Sequence, residues 1–158
     1  MIFVTLGTMH LGFPRLVRKM DEVAAETKER VVIQIGHENT ATEHCEQFSF
    51  RPRDEMSLLI EEARVVVTHA GIGSVIDVMK AGRPLVVVPR LKRFGEHNTD
   101  HQLDLARAVE RRGWGRMVLE VDELNELCAT PRPPHAAYRP AKDSLIASVR
   151  EATGEVTS

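Results

Sequence analysis

Apolar residues along this chain fall into two alternating patterns. Short β-branched runs at Ile2 to Leu6, Val31 to Ile35, Val65 to Thr68, Leu85 to Val88 and Met117 to Leu119 are mostly apolar at successive positions, not at alternate ones. A strand that is apolar on both faces must be covered on both, so the runs predict a parallel sheet with helices on either side. A short run at Phe48 to Arg51 would add a sixth strand. Between the runs lie stretches with apolar residues three and four apart. Phe13 to Lys28 carries Leu16, Val17, Met20, Val23 and Ala24; Asp54 to Ala63 carries Met56, Leu59 and Ile60; Thr99 to Arg112 carries Leu103, Leu105, Ala106 and Val109 and stops at Gly113. Each spacing marks one buried helical face. A further helix is expected after Ser74, ending at Gly82. The prolines Pro131, Pro133, Pro134 and Pro140 break regular structure, so residues 130–140 read as an extended crossing segment that delivers a last helix, Ala141 to Ala152, before a frayed end.

The alternation therefore describes one doubly wound α/β domain over residues 1–129, the crossing segment 130–140, and a C-terminal helix and tail over 141–158. Such sheets bind ligands at the carboxyl ends of their strands, near the switch in strand order. Composition changes this picture little. The chain has 158 residues, 42% hydrophobic and 28% charged, enough for one domain with a core, and its formal charge of -2 excludes nucleic-acid binding by bulk charge. Cys45 and Cys128 show no metal-ligand spacing, which suits a reducing compartment. No apolar run approaches the roughly 18 to 20 residues of a bilayer span, so the expectation is a soluble cytoplasmic protein.

Three loops leave the carboxyl ends of predicted strands, and each carries small or polar residues. Gly7-Thr8-Met9-His10 follows the first strand, where a plain glycine turn is an equal explanation. His69-Ala70-Gly71-Ile72-Gly73-Ser74 lies between an apolar strand and a helix. A glycine turn there lets backbone approach a ligand, and the helix start aims free N–H groups and its positive end at it, the arrangement of a phosphate site with Ser74 as a cap. Asp77, three residues past Ser74, would face the same side, where a carboxylate accepts hydrogen bonds from ribose hydroxyls. The third loop, Pro89 to Gln102, crowds Glu96, His97, Asn98, Thr99, Asp100, His101 and Gln102 together. Groups with both donors and acceptors suit sugar hydroxyls, although Thr99 or Asp100 could simply cap a helix. A metal site is not expected from this cluster. Arg90, Lys92 and Arg93 form a basic group open to a partner, a lipid headgroup, a phosphate or solvent, and His37, His44 and His135 read as surface residues.

Phe3-Val4-Thr5-Leu6-Gly7-Thr8, Thr68-His69-Ala70-Gly71-Ile72-Gly73-Ser74, Ala81-Gly82-Arg83-Pro84 running to Pro89-Arg90, Gly95-Glu96-His97 and His101-Gln102, in this order, closely resemble the glycosyltransferase family 28 C-terminal domain over about residues 1 to 120. The chain looks most like its small stand-alone members: PssE-like subunits of bacterial exopolysaccharide glycosyltransferases, and the soluble subunit of the eukaryotic two-subunit transferase that makes dolichol-linked chitobiose. The resemblance implies a Rossmann-like parallel sheet that is the C-terminal, UDP-sugar-binding half of a GT-B fold. It also implies a separate membrane-associated subunit that binds a lipid-linked acceptor, and recruitment to the cytoplasmic face of the membrane through that partner. The helix over residues 141–152 would dock on it.

Carried over residue by residue, Gly7, Thr8, His69, Gly71, Gly73 and Ser74 would hold the diphosphate and Asp77 the ribose, where the family more often has glutamate. Phe50, Arg51 and Arg53 would frame the uracil ring, and Glu96, His97, His101 and Gln102 would meet the donor sugar or its phosphates. No cofactor is required, and Mg²⁺ is at most a stimulant, because helix ends and polar side chains stabilise departing UDP. The family's base lies in the acceptor half or at the interface between halves; His10 and His101 are this chain's candidates. The implied reaction is an inverting transfer of a sugar from UDP-sugar to a polyprenyl-linked acceptor. The alternative is a non-catalytic UDP-sugar-binding or regulatory subunit. A nicotinamide enzyme is disfavoured because Gly-Thr-Met-His, not GxGxxG, follows the first strand.

Overall fold

A computed structural model describes residues 1–135, 138 and 139. Six parallel strands form one sheet in the order β3-β2-β1-β4-β5-β6: β1 (Ile2–Thr5), β2 (Val31–Gln34), β3 (Glu46–Phe48), β4 (Val65–His69), β5 (Leu85–Val88) and β6 (Arg116–Met117). All residues of β1, β2, β4 and β5 are buried, as strands covered on both faces must be. Alternate residues feed two cores. Ile2, Val4, Val31, Ile33, Val65, Val67, Val86 and Val88 pack with helix α1 (Pro14–Thr27) and with Leu124 and Cys128 of helix α5 (Leu124–Ala129). Phe3, Val32, Val66, Leu85 and Val87 pack beneath α2 (Arg53–Glu62), α3 (Ile72–Ala81) and α4 (His101–Arg111). The fold is thus the Rossmann-like parallel sheet expected, with helices on both faces.

The order of the strands fixes where a ligand can sit. β1 leads by α1 to β2 on one side, while β4 leads by α3 to β5 on the other. The chain after β1 and the chain after β4 therefore diverge from neighbouring strands and leave a crevice at their carboxyl ends.

Several element bounds differ from the sequence expectation for physical reasons. β3 spans Glu46–Phe48 and not Phe48 to Arg51; as an edge strand exposed at Glu46 and Gln47, it has no apolar run to mark it. α4 begins at His101 and not Thr99. β6 has two residues, Arg116–Met117, ahead of the run centred on Val118, whose N–H still donates to the Val87 carbonyl at 2.9 Å. α5, preceded by a 3₁₀ turn at Val121–Glu123, was not anticipated; six residues are too few for a periodicity to show. Within the crossing segment, the His135 N–H donates to the Gly113 carbonyl at 2.8 Å, and Tyr138 meets Trp114 edge to face. The expected helix over residues 141–152 lies outside the described residues. Cys45 and Cys128 are free thiols.

Candidate functional site

The crevice is built from the loops after β1, β4 and β5. Gly7 leaves β1 with φ +75, a conformation that favours glycine. Gln34, the one polar side chain in β2, fixes it: its Oε1 accepts the Gly7 N–H at 3.2 Å and the Thr5 hydroxyl at 2.6 Å, and its Nε2 donates to the Gly7 carbonyl at 3.2 Å. Across the switch, the imidazole of His69 lies between two glycines. A Cβ on Gly7 would collide with its Nε2 and lie 2.5 Å from Cε1, and a Cβ on Gly71 would lie 2.6 Å from Nε2. Both glycines therefore admit an imidazole, a requirement the sequence did not reveal. Burial, with the charge of Arg90 nearby, pushes the His69 imidazolium down to about 3, so the ring is neutral.

The first turn of α3 opens on this crevice. Gly71 is its N-cap, with extended backbone and no side-chain cap. The first helical bond runs from Val75 N–H to the Gly71 carbonyl at 3.0 Å, which leaves the N–H groups of Ile72, Gly73 and Ser74 without helical partners. No acidic residue lies in this first turn, whereas the first turn of α2 carries Asp54 and Glu55. The positive end of α3 is thus uncompensated from within its own helix. Gly73 faces open space. Ser74 lies inside the turn, half-buried, and is not the cap that the sequence suggested.

Asp77 projects toward α2. Its Oδ1 accepts from Arg53 Nη2 at 3.2 Å, and both residues, with Ser57, Ile60, Glu61, Lys80 and Ala81, line a groove of about 290 Å³ between α2 and α3. Two residues expected at the nucleoside are thereby brought together. Phe50 is exposed with its ring against His37, the centroids 5.2 Å apart, and Arg51 covers the Phe48 ring at 4.2 Å.

The loop after β5 departs most from expectation. Glu96, expected at the donor sugar, is 2% exposed, and its carboxylate accepts from Arg15 Nε at 2.8 Å, Arg15 Nη2 at 3.1 Å and the Leu91 N–H at 3.1 Å. Its charge is matched internally by Arg15. Gln102 is likewise 9% exposed: Oε1 accepts the Ala70 N–H at 3.2 Å and the Arg90 N–H at 3.0 Å, and Nε2 lies 3.3 Å from His69 Nδ1. Arg90 is not part of a surface basic cluster. It is 1% exposed, and its guanidinium donates to the carbonyls of Leu6, Leu11, Gly12 and Glu96 at 2.8, 2.8, 3.3 and 3.2 Å. Lys92 and Arg93 remain exposed. His97 is half-buried, its Nδ1 accepting the Thr99 N–H at 3.1 Å, while Thr8, His10 and His101 are exposed on the rim. No metal-holding cluster of His, Cys, Asp or Glu occurs among the described residues.

Residues that sequence reasoning passed over hold these loops. Besides Gln34, buried Glu38 accepts the Phe13, Asn39 and Thr40 N–H groups, and a Cβ on Gly12 would meet its Oε2 at 2.6 Å. Gln34 had a signal, a polar residue inside an apolar run; Glu38 and Arg15 had none.

The glycosyltransferase family 28 C-terminal domain matches residues 1–154. The human UDP-N-acetylglucosamine transferase subunit ALG13 is 30% identical over 124 residues, covering 71% of this chain and 10% of that protein. The NDP-glycosyltransferase YjiC of Bacillus licheniformis is 27% identical over 146 residues, covering 87% and 35%. The chain thus spans about a tenth and a third of these two relatives. The solution structure of ALG13 superposes with a TM-score of 0.60 at 17% identity, covering 89% of this chain and 91% of that one.

Proposed function

The chain belongs to the glycosyltransferase family 28 C-terminal domain family, and from that premise we propose that it is the donor-binding half of a glycosyltransferase using a UDP-sugar. The observation that carries this reading is the uncompensated amino end of α3, opening with Gly73 at the point where β1 and β4 diverge. Three free N–H groups and the helix dipole favour a diphosphate there. The groove holding Asp77 and Arg53 continues between α2 and α3 and would take the nucleoside.

Stabilising departing UDP needs no bound metal at such an end, since the developing charge meets preorganised N–H donors. The proposed reaction is direct displacement at the anomeric carbon with inversion, onto a lipid-linked acceptor of polysaccharide or glycan assembly. The acceptor is supplied by a membrane-associated partner, and the base that deprotonates it lies in that partner or at the interface, where His10 and His101 on the rim of this chain are the candidates. No described helix is long and apolar enough to cross a membrane, so recruitment to the cytoplasmic face would come through that partner.

Calorimetric titration with UDP, UDP-sugars and NAD tests this. UDP species should bind, and the bulkier Gly73→Val should weaken them at least tenfold; binding of NAD alone would overturn the reading. A second reading, a donor-binding subunit without a catalytic role, is favoured by one observation: Glu96 and Gln102 are engaged within the protein. Turnover with the partner present separates the two. Loss of turnover in His101→Ala with UDP affinity retained supports the catalytic reading.

A further inference from the structure

Gln102 occupies a position where the identity of every atom is forced. Its two partners Ala70 and Arg90 offer backbone N–H groups, which can only donate, so the amide oxygen must face them, as it does at 3.2 and 3.0 Å. The amide nitrogen then faces His69 Nδ1 at 3.3 Å. An amide nitrogen only donates, so Nδ1 must accept and carries no proton. The neutral ring is left with its proton on Nε2. That atom lies between Gly7 and Gly71, at the switch point, and has no hydrogen-bond partner among the described residues.

We infer that Gln102 is a positioning residue that locks His69 as the Nε2–H tautomer, so that a neutral imidazole presents a hydrogen-bond donor to the diphosphate of the sugar nucleotide. The inference rests on the donor-site reading for its ligand but not for its tautomer. A chain of forced assignments runs from the ends of β4 and β5 through the amide to the ring, and it converts two backbone donors into one donor aimed at the crevice.

The glutamate variant discriminates this role from a merely structural one. Gln102→Glu keeps an oxygen for Ala70 and Arg90, so the strand ends stay joined, but turns a second acceptor toward Nδ1. Nδ1 must then carry the proton, and in the neutral ring Nε2 becomes an acceptor that faces phosphate oxygens. At lower pH, the ring beside the new carboxylate takes a second proton and Nε2 donates again.

Two measurements follow. Long-range ¹H–¹⁵N correlation of the imidazoles, with His69 assigned by its absence in His69→Asn, should show Nε2 protonated in the wild type and Nδ1 protonated in Gln102→Glu at pH 8. UDP titration should show the variant about tenfold weaker than wild type at pH 8, the value of one hydrogen bond to a charged group, with the ratio returning toward one by pH 5.5. Taking the ratio to wild type cancels the titration of UDP itself. Nδ1 protonation in the wild type, or a variant ratio that does not move with pH, overturns the positioning role while leaving donor binding intact. Failure of the wild type to bind UDP, with Nε2 still protonated, overturns the donor-site reading and with it the role toward the diphosphate.

Discussion

Gly71 and Gly73 stand on either side of Ile72, and a methyl group added at each would meet different surroundings. At Gly71 it would strike the His69 ring, whereas at Gly73 it would enter open space. Gly71→Ala should therefore cost about 1–3 kcal/mol through overpacking and displace the imidazole. Gly73→Ala lies in the first turn of a helix and should leave stability unchanged or raise it by up to ~1 kcal/mol. Denaturant unfolding of the two variants checks the contrast. His69 itself sets a pH dependence. In the unfolded chain its pKa returns to about 6.5, while in the folded chain burial holds it at about 3. Between these values the unfolded state binds the extra proton, so the stability gained from the neutral ring is complete above the upper value and is lost as pH falls toward the lower one. The contribution to the slope approaches about 1.4 kcal/mol per pH unit. Denaturation midpoints followed from pH 7 to pH 4 should fall less steeply in His69→Asn than in the wild type.

At the scale of elements, the crevice keeps its shape because its loops are tied to one another. Arg90, at the end of β5, donates to carbonyls of the loop after β1 and of its own loop, and its guanidinium lies 4.9 Å from the Phe13 ring. A lysine cannot reproduce that fork of donors. Arg90→Lys should leave buried carbonyls unpaired and cost about 3 kcal/mol, read as a lower denaturation midpoint. Arg53 with Asp77 is the contrasting pair, for it is exposed and worth about 0–1 kcal/mol; Arg53→Ala should change nucleotide affinity more than stability. The same ties explain what was legible in the sequence. β1, β2, β4 and β5 announce themselves because burial on both faces demands continuous apolar residues, and α1 and α4 because one buried face imposes a period. β3 lies at an exposed edge and α5 is too short, so neither constraint writes a pattern. At the site, the glycines and the polar crowd after β5 were visible, but not which group satisfies which. The partners of Glu96 and Gln102, namely Arg15 and the N–H groups of Ala70 and Arg90, are assembled by the fold and leave no mark in the sequence.

For the molecule as a whole, both faces of the sheet are already covered, one by α1 and α5 and the other by α2, α3 and α4. The crevice opens at the carboxyl edge, so under the proposed function an acceptor would arrive over that edge, past the exposed Thr8, His10 and His101. Donor binding and transfer are then separable: the chain alone should hold UDP, and turnover should await a second body over the rim. UDP bound at the switch point, as proposed, would join the loops after β1 and β4 and so should stabilise the whole domain and not one loop. With UDP at about 100 times its Kd, the added stability is about 2.7 kcal/mol, which in a chain of 158 residues should raise Tm by roughly 5–10 °C. NAD should leave Tm unchanged, because the glycine turn that follows the first strand of a nicotinamide site is missing here, where Gly7-Thr8-Met9-His10 stands. A thermal scan with each nucleotide reads this directly, and His10→Ala should preserve the UDP shift while lowering transfer once the partner is added.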